Sequence, residues 1–162
     1  MSEEARIRKD RDTLVVAGTG VIAFGVWNVL KTVMVTYNSQ DTLLEMLGDT
    51  ENKDLVMIFL WLILAVVLLA VFGISFYVGV SARKEGIGRK PRKYRVLACL
   101  MILPHFFSAL TSVSYAFNDT NDDLEMVVSA LVDVMGLYVM IDLVIAAFRV
   151  KKWMKENPGK IV

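Results

Sequence analysis

The sequence predicts an all-α, polytopic membrane protein whose four transmembrane helices form a bundle. Its 162 residues are 56% hydrophobic, which is too apolar for a soluble domain of this length. Four long apolar runs alternate with polar segments, and three of those segments hold sixteen of the eighteen Lys and Arg residues. Cytoplasmic loops retain such residues. We therefore expect both termini to be cytoplasmic, in a plasma (inner) membrane.

The apolar runs cover residues 13–37, 55–81, 96–117 and 124–148. Each exceeds the ~20 residues that a helix needs to cross a bilayer. Because a backbone in lipid has no other hydrogen-bond partner, each run must be helical. Aromatic residues mark the borders of the runs: Tyr37, Trp61, Tyr115 and Phe117 near the outer interface, and Tyr77, Tyr94 and Trp153 near the inner one.

The chain divides into three parts around these runs. Residues 1–12 form a charged cytoplasmic N-terminus, which is too charged for a cleaved signal peptide. Residues 13–149 form a single four-helix transmembrane domain. Residues 150–162 form a basic interfacial tail, in which Val150, Trp153 and Met154 have helical spacing until Pro158 and Gly159 end the helix.

The connecting segments differ in charge and length. The inner loop, residues 82–95, is basic and irregular. It either sets the topology alone or also contacts anionic lipid headgroups through Arg89, Lys90, Arg92 and Lys93. The outer segments are acidic, and residues 41–47 fit a helical turn at the outer interface. The short outer turn at 118–123 predicts an antiparallel hairpin of the last two spans.

The two halves of the chain resemble each other. Residues 37–47 align without gaps on residues 117–127, at an offset of 80 residues. One interpretation is a pseudo-repeat of two helical hairpins related by an axis along the membrane normal. The other is coincidence in a sequence of biased composition.

Four polar residues form a predicted intramembrane cluster. A helical rise of ~1.5 Å per residue places Asn28, Ser108 and Asp133 ~13 Å from the outer border, and His105 ~18 Å. An ionised Asp at that depth costs about 2.5–3.5 kcal/mol and needs a partner. His105 is the chain's only His and the expected partner of Asp133. The cluster predicts either a functional site or an internal structural contact.

Two further charges lie inside the spans. Lys31 is ~9 Å from the outer border, and we expect its long side chain to point outward toward the acidic loops. Asp142 follows Asp133 by nine residues and so faces the opposite side of its helix. We expect it to meet Arg149 or the basic inner loop.

Polar and small residues indicate how the helices pack. The third span carries Pro104 and a polar stripe, which either lines an aqueous path or supplies hydrogen bonds between helices. The stripe consists of His105, Ser108, Ser112 and Tyr115. Gly18 and Gly25 on the first span, and Ser75 and Gly79 on the second, predict close helix contacts. Residues 55–72 have no charge and should face lipid or a second copy.

The composition excludes most chemistry. One Cys and one His rule out an internal disulfide and leave little room for a metal or haem site. Nucleotide-binding loops and hydrolase motifs are absent from the sequence. We expect no catalytic residues, no metal, no cofactor and no nucleic-acid partner. The expected partners are membrane lipids and either further copies of the chain or another membrane protein.

Two functions fit these features. The first is a non-catalytic membrane subunit or interaction protein, in which the polar residues lock the bundle; it needs fewer assumptions. The second is a small oligomeric channel or a proton- or ion-coupled transporter that uses Asp133 and His105 at the membrane midplane. They differ in whether Asp133 faces a water-accessible cavity or a dry helix contact.

Overall fold

The computed structural model describes residues 3–46, 52–89, 93–118 and 124–157. Within these ranges the chain forms five α-helices: α1 (Glu3–Asn38), α2 (Gln40–Met46), α3 (Lys53–Gly86), α4 (Tyr94–Asn118) and α5 (Leu124–Glu156). Four of them, all except α2, are long and apolar enough to cross a membrane. The prediction of an all-α chain with four spans, as in a multi-pass membrane protein, is therefore confirmed for the described residues.

The helices run past the predicted spans at one end of the bundle. There α1 begins at Glu3, α3 ends at Gly86 and α5 ends at Glu156. Ile7, Val150 and Trp153 lie in these extensions and are 2%, 0% and 4% exposed. Helical structure in the C-terminal tail is thus confirmed. Its apolar residues Val150 and Trp153 are buried against the rest of the protein.

The connecting segments are partly described. Helix α2 confirms the predicted helical turn near residues 41–47, of which Leu47 lies outside the described residues. The outer turn at 119–123 also lies outside them, but α4 and α5 pack against each other as the predicted hairpin requires. The basic loop is shorter than predicted because α3 continues to Gly86.

Two ends of the bundle can be distinguished by charge. The start of α1, the end of α3, the start of α4 and the end of α5 lie together, and we call this the basic end. Contacts across it join Asp10 to Arg149 and Glu85 to Arg95. The described parts of all three basic segments are therefore at the same end. The opposite, acidic end holds α2.

The helices pack unevenly around the bundle. Helix α1 packs against both α3 and α5, and α5 also packs against α4, whereas α3 and α4 contact each other only sparsely. The buried apolar core lies toward the basic end, formed by residues such as Leu14, Val78, Ala98, Met140 and Leu143. Outside this core, large apolar side chains are exposed on α3 and α4.

Small residues set the distance between α1 and α3, as the sequence predicted. A methyl group added at Gly79 would lie 2.5 Å from the Gly18 carbonyl oxygen, and one added at Gly25 would lie 2.9 Å from Ser75 Cβ. Such separations leave no room for a side chain. In lipid there is no hydrophobic driving force that brings helices together. Close approach of the two backbones stabilises the pair because it increases the dispersion contacts between them.

We expect Gly79→Ala to lower the free energy of unfolding by about 1–3 kcal/mol, because the added methyl group overpacks the helix contact. Gly73→Ala is the matched control on the same helix, since a Cβ there meets no atom within 4 Å. That control should be as stable as the natural chain or slightly more stable. Thermal unfolding in detergent, followed by circular dichroism, measures both. Equal stabilities would contradict the close contact of α1 with α3.

Candidate functional site: a polar cleft among four helices

The structure brings the four predicted polar residues into one cleft. Asn28, His105, Ser108 and Asp133 all line a space of about 530 Å³. They come from α1, α4 and α5, and α3 completes the wall with the apolar side chains Val71 and Ile74. Of the helices that line the cleft, α3 and α4 pack only sparsely against each other.

Asp133 is the most buried charged group of the cleft, with a side chain only 3% exposed. Its Oδ2 atom accepts three hydrogen bonds. Lys31 Nζ donates at 2.6 Å, Ser108 Oγ at 3.3 Å, and Ser112 Oγ donates as well. A carboxylate that receives an ammonium and two hydroxyl donors is well satisfied without water.

The ion pair of Asp133 differs from the one that the sequence predicted. We expected His105 as the partner of Asp133, and Lys31 pointing outward. Instead Lys31 faces α5 across the α1–α5 contact, and its ammonium also donates to Ser112 Oγ at 3.3 Å. Pairing within the bundle neutralises two charges at once, which outweighs the pull of the membrane surface on one lysine.

His105 bonds to its own helix. Its Nδ1 atom lies 2.8 Å from the carbonyl oxygen of Met101, one turn earlier. A carbonyl oxygen only accepts, so this contact places a proton on Nδ1. The ring of His105 lines the cleft, and the ion pair of Asp133 forms without it.

Pro104 changes the backbone hydrogen bonding beside His105. Helix α4 continues through Pro104. Because proline has no N–H, the carbonyl of Leu100 loses its helical donor. Both Leu100 and Pro104 line the cleft. On α1, the Thr32 Oγ1 hydroxyl donates a hydrogen bond to the Asn28 carbonyl oxygen at 2.8 Å. Its proton is therefore used within the helix.

Asp142 and Arg149 do not form the predicted pair. Arg149 Nη1 lies 3.5 Å from Asp10 Oδ1, which joins α5 to α1 at the basic end. The reason is geometric: α1 extends ten residues farther toward this end than predicted, so its acid comes within reach. Asp142 is half-buried and makes no ion pair within the described residues.

A second group of buried charges was missed by the sequence analysis. Glu85 is 2% exposed and pairs with Arg95, with the Tyr94 hydroxyl buried beside them. This pair fastens the end of α3 to the start of α4. The available signal was a single acid, Glu85, inside a segment of seven basic residues.

The structure describes two of the four residues of the predicted headgroup contact. Arg89 and Lys93 of the proposed headgroup contact are exposed, whereas Lys90 and Arg92 lie outside the described residues. Among the residues that the structure describes, no group of His, Cys, Asp and Glu could hold a metal ion. A second groove of about 480 Å³ between α1 and α3 is lined by apolar side chains, Trp61 and Phe72 among them.

Comparison with known proteins adds no family. Neither a protein family, nor a curated protein, nor a solved structure matches this chain.

We expect Asp133→Ala to lower the free energy of unfolding by about 3 kcal/mol, because it removes the carboxylate to which Lys31 of α1 and Ser108 and Ser112 of α4 donate. Asp142→Ala is the matched control on the same helix, since Asp142 makes no ion pair within the described residues. It should change stability by less than about 1 kcal/mol. Unfolding by sodium dodecyl sulfate measures the stability of both variants. Similar losses of stability would contradict the ion pair of Lys31 with Asp133.

Proposed function

We propose that this protein binds a small solute within the membrane, in the cleft around Asp133, as a channel or transporter of small size does. The observation that carries the proposal is the convergence of polar groups from three helices on a cleft of about 530 Å³. Polar groups at membrane depth are costly and commonly mark ion or substrate pathways. A bundle that needed only hydrogen-bonding contacts would close over them.

The volume and the lining support the same conclusion. Pockets that hold small molecules range from about 300 to 1,000 Å³ and combine apolar walls with a few placed polar groups. Here Phe24, Val71 and Ile74 provide apolar wall, while Asp133 and His105 provide the polar groups. We further propose that the basic end is cytoplasmic, because the positive-inside rule places segments of this kind there.

Water access to the cleft is the direct test. The chain has a single cysteine, Cys99, so a Cys99→Ser background allows one new cysteine at a time. We expect Ser108→Cys to react with a small, membrane-impermeant cationic thiosulfonate when the protein is in liposomes. The control is Leu69→Cys on α3, which is 70% exposed on the apolar face and should stay unlabelled in lipid. Labelling at neither position would contradict an accessible cleft.

A specific observation keeps the subunit function as a second candidate. Only 6% of the most apolar part of α3 is buried, against 33% for α5. A partner protein seated on α3 would cover this face. Native mass spectrometry of the detergent-released protein tests it: a defined multimer or a complex with another membrane protein supports the subunit function, and a monomer carrying only lipid contradicts it.

A further inference from the structure

Within the described residues, some hydrogen-bonding groups of the cleft already have partners in the protein, and others do not. Ser108, Ser112 and Lys31 all direct protons to Asp133 or to each other, so these donors are occupied. The Asn28 side-chain amide, which can both donate and accept, lines the same cleft, as does Leu100, whose carbonyl loses its helical donor at Pro104. Asp133 adds a carboxylate, and a carboxylate favours a ligand that brings a cationic N–H donor.

The apolar walls restrict the ligand further. Beside the acceptors stand Phe24, Val71 and Ile74. A strongly hydrated inorganic cation gains nothing from such walls and would leave most of the cleft unfilled. An organic molecule with one polar end and an apolar body satisfies both surfaces. An ammonium group also interacts favourably with an aromatic face such as that of Phe24.

Lys31 already places an ammonium on Asp133, and it can be displaced. Its side chain is 26% exposed, whereas that of Asp133 is 3% exposed. The outer border is only ~9 Å away along the helix. A lysine stem of four methylenes can carry the charged group toward that border while its carbons stay in apolar surroundings. Asp133 has no such freedom.

From these features we propose that the cleft binds the ammonium group of a small amphiphilic primary amine, which replaces the Lys31 ammonium on Asp133. One monovalent cation is exchanged for another, so the carboxylate stays neutralised throughout. The ligand's N–H groups donate to Asp133, and its apolar body lies against α3. This inference rests on the proposed function and names the ligand class of the same cleft.

Calorimetry on the full chain in nanodiscs of phosphatidylcholine tests the proposal. That lipid has no primary amine, so the added probe is the only source of one. The probes are 2-phenylethylamine, which is protonated at neutral pH, and 2-phenylethanol, its uncharged analogue of similar size. We expect the amine to bind about tenfold more tightly or better, since only the amine pairs with Asp133.

Two variants separate the roles of the ion pair. Asp133→Asn should reduce the affinity for the amine to that for the alcohol. Lys31→Met should raise the affinity for the amine by about tenfold, because the competing ammonium is gone. Circular dichroism confirms that each variant is folded, and Ser108→Ala, which keeps both charges, is the matched control with a smaller loss.

The results of these experiments distinguish a failure of the ammonium exchange from a failure of the proposed function. If amine and alcohol bind equally, the ammonium exchange is wrong while the cleft remains a solute site. If Lys31→Met weakens amine binding, Lys31 is a ligand contact and the exchange is again wrong. If neither probe binds, the inference fails, and the cysteine labelling then decides whether the cleft receives any solute.

Discussion

A charge inside a bilayer is stable only when another group neutralises it, and this constraint organises the acidic half of the bundle. Lys31 on α1 and Asp133 on α5 meet at 2.6 Å, and hydroxyl groups of α4 complete the shell of the carboxylate. Three helices are thereby joined at one atom, Asp133 Oδ2. Apolar packing is sparse at this level, so the ion pair fixes the relative rotation of the helices in a way that non-directional packing does not.

The basic half is held together differently. There α1 and α3 approach at Gly18 and Gly79 until no side chain fits between them. A closely packed core surrounds this contact, and the pairs Glu85–Arg95 and Asp10–Arg149 close its end. The basic half is compact and has many contacts, whereas the acidic half has few. We therefore expect unequal local stability, with separation of α3 from α4 as the easiest motion.

Sequence alone could give the spans and the small-residue contacts, because both depend on local patterns. Length and hydropathy define a transmembrane helix. A glycine such as Gly79 contributes little to a lipid-facing surface, but at a helix contact it allows two backbones to approach closely. Depth along the helix could also be counted, which is why Asn28, His105, Ser108 and Asp133 were grouped together. The structure places all four around one cleft.

The partner of Asp133 could not be found in this way. Depth does not give the rotation of each helix about its axis, and that rotation decides whether His105 or Lys31 faces α5. The preference of lysine for the membrane surface was a sound general rule that a specific counterion overrides. The pair Asp10–Arg149 was missed for a related reason, because the helix of α1 continues through a charged segment that composition marked as a terminus.

Reversal of the central ion pair tests this account most directly. Lys31→Asp and Asp133→Lys each place two like charges together in the bundle, and each should abolish the cooperative thermal transition of the protein in detergent. The double reversal restores opposite charges, and Ser108 and Ser112 offer acceptors to an ammonium at position 133. We predict that it recovers most of the lost stability. A double variant no more stable than the two single variants would contradict the pairing of α1 with α5 through these residues.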